Sequence, residues 1–200
     1  MTTVSLPMPW GVDQIVNQLD EFGFSIIKQA YDDVFFTALN TECLSKMGKF
    51  RAAAIQDGVI SKIRSDHILW INETQSLAHK HILALENLSQ SLNQAFFLGI
   101  KNVEAHFACY NVGEFYALHR DNPQQKNHRV ISSVFYIHKT WQESWGGQLR
   151  LQDKKMNWHM IEPTANSIVI FESNLLHEVI TSKQKRLSIT AWLRNDLTLW

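Results

Sequence analysis

The hydrophobic periodicity of this chain changes near Val103, and this change limits the folds that the chain can adopt. Before this point apolar residues recur at helical spacing, whereas after it they occur in short runs separated by turns. The short runs predict strands at residues 104–110, 132–137, 148–151, 167–171, 178–180 and 187–193. Helices first and then many short strands, without helices between them, indicate an α+β protein with a double-stranded β-helix (jelly-roll) core.

The first half of the chain is predicted to support that core. Its predicted elements are helices at 12–22 and 31–47, a strand at 24–27 and a third helix after Thr74. Two further strands are expected within 50–71, on either side of a polar, glycine-bearing segment at 55–62 that is suited to act as a mobile lid. No repeat or linker interrupts the chain, so we expect one domain over 1–200, with 1–100 as mainly helical support and 103–194 as the jelly-roll core.

Charge and cysteine content exclude several classes of function. The 19 basic and 19 acidic residues leave no formal net charge, so no positive field attracts the chain to nucleic acid or anionic lipid. No apolar run approaches the roughly 18 residues that span a bilayer, and the first basic residue is Lys28, so neither a transmembrane helix nor a signal peptide is expected. Cys43 and Cys109 are expected to be reduced. These features predict a cytoplasmic protein that binds neither nucleic acid nor membrane.

A His-x-Asp pair and a distant histidine form the candidate metal site. His119 and Asp121 lie two apart, so in a strand both side chains face the same way, and His177 can complete a triad. Two neutral imidazoles and one carboxylate on one face of a metal leave three coordination positions open, as in non-haem Fe(II) oxygenases. With nine histidines in 200 residues, chance alone produces a His-x-Asp triplet roughly 0.4 times, so the surrounding strand and turn signals carry the prediction. Structural or zinc-binding histidines in a non-catalytic jelly-roll module are the alternative.

Arg186, nine positions after His177, is the candidate anchor for an anion. Alternation places four side chains on one face of the last predicted strand, namely Arg186, Ser188, Thr190 and Trp192. A guanidinium buried in a barrel needs an anionic partner, and a dicarboxylate held by two parallel hydrogen bonds meets that need. The hydroxyl groups of Tyr136 and Thr190 can bond the remaining lone pairs. The alternative is an ordinary surface arginine in the basic segment 183–186.

The stretch from His106 to Trp192 resembles the catalytic domain of the iron- and 2-oxoglutarate-dependent prolyl 4-hydroxylases. The resemblance is to the branch that contains the hypoxia-sensing protein prolyl hydroxylases and their bacterial counterparts, and residues 50–70 share it more weakly. The segments that carry it are residues 108–110, 119–123, 134–136, 145–150, 161–163, 177–179 and 186–192. Their combination is far more specific than any one of them.

This resemblance implies both cofactors and chemistry. It implies an Fe(II) site with the ligands His119, Asp121 and His177. It implies a 2-oxoglutarate site in which Arg186 pairs with the distal carboxylate, beside Tyr136, Thr190 and Tyr110. O2 would be the second cosubstrate, and ascorbate would keep the iron ferrous. The implied reaction hydroxylates a prolyl C4 in a protein or peptide and releases succinate and CO2.

Four further residues match positions near the peptide groove of relatives, namely Trp192, Arg129, Arg64 and Asp66. The alternative for them is structural, with Trp192 as a packing residue and Arg64 and Asp66 as a local ion pair. Ser65 stands where relatives usually have glycine. Bacterial relatives suggest a substrate in the translation machinery, while a free amino acid or other small molecule is the alternative. The oligomeric state is left open.

Overall fold

The computed structural model describes residues 6–53, 62–72, 74, 76–122 and 128–197, and the fold is given for these residues. In chain order the helices and strands are α1 Val12–Phe22, β1 Phe24–Lys28, α2 Asp33–Ser45, β2 Arg51–Ala52, β3 His67–Trp70, α3 Leu77–Phe96, β4 Asn102–Tyr110, β5 Tyr116–His119, β6 Arg129–Tyr136, β7 Leu149–Gln152, β8 Trp158–Ile161, β9 Ser167–Glu172, β10 His177–Val179 and β11 Arg186–Arg194. The predicted α+β class is confirmed.

The strands form two antiparallel sheets. The major sheet has the order β1-β9-β6-β11-β4-β3-β2, and the minor sheet has the order β5-β10-β7-β8. Strand β11 lies in the middle of the major sheet, and it pairs with β4 along its whole length, from Arg186 opposite Tyr110 to Arg194 opposite Asn102. Side chains that alternate along β11 therefore reach either the helices or the space between the sheets.

The three helices are connected with the outer face of the major sheet through a shared apolar core. Leu187, Ile189 and Leu193 of β11 are buried there together with Leu19 of α1 and Leu88 of α3. The helix ends follow local capping rules. Helix α1 stops at Gly23, whose φ of 79° suits glycine, while the side chains of Asp32 and Ser76 accept hydrogen bonds at the starts of α2 and α3.

A second, smaller core joins the two sheets. It consists of Val134, Tyr136, Leu149, Leu151, Ile161, Val169, Phe171 and Leu175. Because residues of both sheets share this core, the sheets face each other, as a jelly roll requires. The space between them beside this core contains the candidate functional residues.

Most predicted elements are present with small shifts in their bounds. Helix α2 begins two residues later than predicted because Asp32 caps it, and the two strands expected within 50–71 are β2 and β3. Strand β8 was not predicted, and the predicted lid at 55–62 lies outside the described residues apart from Lys62. Cys43 and Cys109 are buried and form no disulfide. Among the described residues, none of the helices has both the length and the apolar character needed to cross a membrane.

Candidate functional site

His119, Asp121 and His177 meet between the sheets. Their ligand atoms all lie within 4.8 Å of one another, with His119 Nε2 3.5 Å from Asp121 Oδ1 and His177 Nε2 3.6 Å from Asp121 Oδ2. His119 ends β5, His177 begins β10, and the two residues are direct partners across the ladder. The expectation that His119 and Asp121 share a strand was wrong. Asp121 lies in the bend after β5, where Asn122 N–H bonds the Ser173 carbonyl.

Backbone carbonyls hold both imidazoles in the orientation that a metal needs. His119 Nδ1 lies 2.7 Å from the carbonyl oxygen of Ala117, and His177 Nδ1 lies 2.9 Å from that of Leu175. A carbonyl only accepts hydrogen bonds, so each Nδ1 carries the proton and each Nε2 presents a lone pair toward Asp121. This is the arrangement by which metal-binding histidines are usually fixed.

The Asp121 carboxylate is kept ionised by its neighbours. Ser132 Oγ donates to Asp121 Oδ2 at 2.6 Å, and the Ser132 and Ser173 hydroxyls lie 2.8 Å apart. Burial would raise the pKa of the Asp121 carboxyl, but His177, His119 and the Ser132 hydrogen bond together lower it below its usual range. Burial and the nearby His119 lower the pKa of His177 to about 4, so His177 is neutral near pH 7. Asp121 and His177 thus have the charge states of metal ligands.

Aromatic side chains pack against both imidazoles. The ring of Tyr116 stacks on His119 with centroids 3.6 Å apart, and Phe171 meets His177 edge-on at 4.8 Å. Neither these aromatics nor Ser132 was predicted as part of the site. The available signals were the Tyr-x-x-His spacing before His119 and the Ser132–Ser133 pair within an otherwise apolar strand.

Arg186 is buried at the start of β11 and has unused donors. It is 1% exposed, its Nη1 donates to Ser188 Oγ at 3.4 Å, and no described group accepts from its Nε or Nη2. Its guanidinium carbon lies 5.0 Å from the Tyr110 ring centroid and 4.8 Å from that of Tyr136. The Tyr136 hydroxyl makes no well-formed hydrogen bond with a described residue. Burial raises its pKa, although the neighbouring Arg186 opposes this, so it stays an O–H donor. These unused donors are suited to a bound carboxylate.

Two glycines let the backbone approach Arg186 closely. Gly147 has a φ of +69°, and a Cβ atom there would lie 2.9 Å from Trp141 Cζ2 and 3.2 Å from Arg186 Cδ. Gly146 also has a positive φ, of +68°, and a Cβ there would collide with the Thr181 carbonyl. The Gly146–Gly147 turn, noted in the sequence only as part of a resemblance, therefore forms part of the wall around Arg186.

The remaining predicted cosubstrate residue, Thr190, lies on the same face of β11 but farther along it. It pairs with Val134 on one side and His106 on the other. Tyr110 is the direct partner of Arg186 in the β4–β11 ladder. Of the predicted cosubstrate residues, Tyr110 and Tyr136 thus border the guanidinium, while no contact between Thr190 and Arg186 is observed.

The predicted groove residues form two ion-paired clusters. Arg129 lies 3.6 Å from the Trp192 ring centroid and donates to Glu104 at 2.7 Å. Arg64 donates to Asp66 twice, at 2.6 and 3.0 Å, and Asp66 is fully buried. Arg64 also lies 4.8 Å from the Tyr116 ring centroid, which connects this pair with His119. The expected local ion pair is present, and it is buried.

The donor set and the fold define a class of protein, and comparison with known proteins narrows it. Two imidazoles and one carboxylate between the sheets of a jelly roll are the ligand set of non-haem Fe(II) oxygenases, and residues 105–194 match the 2OG-Fe(II) oxygenase superfamily. A Pseudomonas putida prolyl 4-hydroxylase of known structure is 33% identical in sequence to this chain. The match covers 92% of this chain and 98% of that structure, and the two superpose with a TM-score of 0.85. The chain therefore belongs to the prolyl 4-hydroxylase family of iron- and 2-oxoglutarate-dependent dioxygenases.

Two other relatives agree with this assignment. A Trichoplax adhaerens prolyl hydroxylase, solved with a fragment of the hypoxia-inducible factor oxygen degradation domain, is 25% identical in sequence to this chain. The match covers 92% of this chain and 89% of that structure, with a TM-score of 0.79. An uncharacterised PKHD-type hydroxylase of Synechocystis is 27% identical over 131 residues, which is 56% of this chain and only 43% of that relative. The cofactors of the class are Fe(II), 2-oxoglutarate and O2, as the sequence resemblance implied.

Proposed function

We propose that this protein uses O2 to hydroxylate a prolyl residue at C4 in a protein or peptide, so that one oxygen atom enters the prolyl C–H bond and the other enters the succinate that forms from 2-oxoglutarate with loss of CO2. The observation that carries the proposal is the buried Arg186 guanidinium, which has no acidic partner among the described residues and lies on the sheet that forms one wall of the triad site. Support for a prolyl substrate comes from the Pseudomonas and Trichoplax enzymes, of which the second was solved with a peptide.

The proposed metal ligands are His119, Asp121 and His177. Their Nε2 and carboxylate oxygen atoms converge, and the donor set of two nitrogens and one oxygen suits Fe(II). Ser132 is the proposed positioning residue for Asp121, because its hydrogen bond fixes the carboxylate oxygen nearest to His177.

The proposed 2-oxoglutarate site consists of Arg186, Tyr136, Tyr110 and Thr190. The guanidinium offers two donors in a fixed fork, and the Tyr136 hydroxyl offers a third, which together match a carboxylate. The other end of the cosubstrate would face the triad. Trp192, Arg129, Arg64 and Asp66 are the proposed border of the peptide groove. A protein of the translation machinery is the acceptor that the resemblance to bacterial enzymes favours.

In this reaction the protein would orient the cosubstrate and limit the access of water. Bound Fe(II) with 2-oxoglutarate would supply the chemistry by which O2 converts a C–H bond into C–OH. Arg186 and Tyr136 would hold one end of 2-oxoglutarate, so the protein sets the position of the cosubstrate relative to the triad. The apolar core around Val134, Leu149 and Phe171 limits the access of water from one side.

Mass spectrometry with matched peptides tests the proposal. Purified protein with Fe(II), 2-oxoglutarate, ascorbate and a pool of proline-containing peptides should add one oxygen to proline and release one succinate per hydroxylation. Peptides with alanine in place of proline are the control, and free proline in parallel tests the small-molecule alternative. Hydroxylation of free proline alone would contradict the peptide proposal.

Anaerobic titration tests the metal ligands separately. Wild-type protein with Fe(II) and 2-oxoglutarate should show the visible charge-transfer absorption of the chelated cosubstrate, and the His119→Ala variant should not. Absorption of equal intensity in the variant would show that His119 is not a ligand. A zinc-binding, non-catalytic module would show neither absorption nor succinate.

A further inference from the structure

One buried imidazole beside the proposed peptide groove has a nitrogen atom without a partner. His106 lies in β4, opposite Trp70 of β3 and Thr190 of β11. Alternation turns its side chain to the same face as Tyr110, whereas Phe107 packs into the core shared with the helices. His106 is 1% exposed. It therefore lies on the face that carries the proposed cosubstrate site, four residues before Tyr110.

The free nitrogen of His106 is an acceptor. Its Nδ1 lies 3.1 Å from the Phe107 carbonyl, which only accepts, so Nδ1 carries the proton and Nε2 has the lone pair. Burial lowers the pKa of His106 to about 3, so the ring is neutral at working pH. No described group donates to Nε2. A buried acceptor without a donor is unfavourable, and a leucine there would avoid that penalty, so the imidazole is best explained by a donor on a ligand.

A matching donor lies next to this acceptor. The rings of Trp70 and Trp192 each lie 5.2 Å from the His106 ring, and Trp192 Nε1–H is a buried donor with no acceptor among the described residues. Arg129, held by Glu104, covers the Trp192 ring, while Trp70 is 39% exposed, so the cluster reaches the surface. One buried acceptor and one buried donor, in an aromatic cluster that reaches the surface at Trp70, correspond to the N–H and C=O of a peptide backbone.

We propose that His106 is a specificity-determining residue whose Nε2 accepts a hydrogen bond from a backbone amide of the peptide substrate near the proline. The Trp192 indole N–H donates to a carbonyl oxygen of the same segment. This inference rests on the proposed function, since a free amino acid has no backbone amide groups to bond both. It gives the enzyme a preference for proline within an extended chain.

Two peptide sets test the role of His106. Both contain proline in varied contexts, and in the second set the amide nitrogens of the two residues on each side of the proline are methylated. Wild-type protein should bind and hydroxylate the unmodified set about tenfold better. In His106→Leu this preference should fall at least about fivefold, and His106→Gln, which keeps an acceptor, should retain part of it. Anaerobic peptide affinity and kcat/KM are both measured.

The possible results separate the two proposals. An unchanged preference in His106→Leu, with the affinity for 2-oxoglutarate also unchanged, overturns the role of His106 and leaves the proposed function standing. If wild-type protein neither binds nor hydroxylates either peptide set, the proposed function and this inference are both overturned. If His106→Leu fails to fold, Trp192→Phe replaces it, because loss of the indole N–H should weaken binding of the unmodified peptides about fivefold; equal binding would refute the pair.

Discussion

The two ends of β11 each bury an arginine, but they treat the charge differently. Arg194, 3% exposed, bonds Glu104 at 3.1 Å and Asp196 at 2.8 and 2.9 Å. Arg186, 1% exposed, makes a long contact with Ser188 and lies over two aromatic faces, and it has no acidic partner among the described residues. Burying a charge is unfavourable unless it is paired. The protein therefore pairs Arg194 internally, whereas Arg186 has no acidic partner among the described residues, which is what the proposed 2-oxoglutarate site requires.

The largest effect is expected for Arg186→Ala. Loss of the buried partner of a carboxylate should weaken 2-oxoglutarate binding about 100-fold or more, measured by anaerobic calorimetry with Fe(II) present. The melting temperature of the cofactor-free protein should fall less than in Arg194→Ala, because the charge that is removed has no acidic partner among the described residues. Arg186→Lys is the matched control, and it should bind with intermediate affinity because it keeps the charge but not the fork. If Arg186→Ala binds 2-oxoglutarate with wild-type affinity, the distinction between Arg186 and Arg194 is wrong.

Arg194→Ala should show the reverse pattern. We expect the free energy of unfolding to fall by about 2–3 kcal/mol in urea titrations, slightly less than is usual for a broken buried pair, because Arg129 still bonds Glu104. The affinity for 2-oxoglutarate should equal that of wild type. A loss of cosubstrate affinity without a loss of stability would contradict this prediction.

Tyr136→Phe sharpens the comparison at the Arg186 end. It removes one hydroxyl that has no partner among the described residues. Binding of 2-oxoglutarate should weaken about fivefold, as expected for one hydrogen bond, with no decrease in the melting temperature of the cofactor-free protein. A less stable variant would indicate that the hydroxyl has an internal structural role.

Arg150→Ala is the control for exposure and should have the smallest effect. Arg150 pairs with Glu178 and covers Trp158 at 4.1 Å, but its side chain is 38% exposed. Solvent screens such a pair, so the free energy of unfolding should change by less than about 1 kcal/mol. A change as large as that of Arg194→Ala would show that burial does not decide the energetics of these pairs.

The residue types of the candidate site, and the meeting of the triad, could be predicted from the sequence. His119, Asp121 and His177 were identified by ligand type and context, and Arg186 by alternation within a strand, because these rules act locally. The jelly-roll fold followed from the many short strands without intervening helices.

The supporting residues could not be predicted, since their partners are distant in the sequence. Ser132 reaches Asp121 only because β6 lies beside the bend after β5. Tyr116 and His119 are close in sequence, but residues three apart in a regular strand face opposite ways, so their stacking depends on the irregular register of β5 with β10. The end of β5 at His119 also depends on contacts with other parts of the chain. Its ladder with β10 shifts register between Val179 and His177, and the following bend is tied to Ser173. Such long-range pairings leave little trace in local periodicity.

The direct pairing of His119 with His177 has a mechanical consequence. β5 is the outermost strand of the minor sheet, its ladder with β10 is short and irregular, and on its other side it has an isolated bridge from Tyr116 to Arg64. A metal ion bound by both imidazoles would stabilise the pairing of β5 with β10, so metal binding and this pairing would be thermodynamically linked. Chelation would then loosen β5 before the central strands of the major sheet.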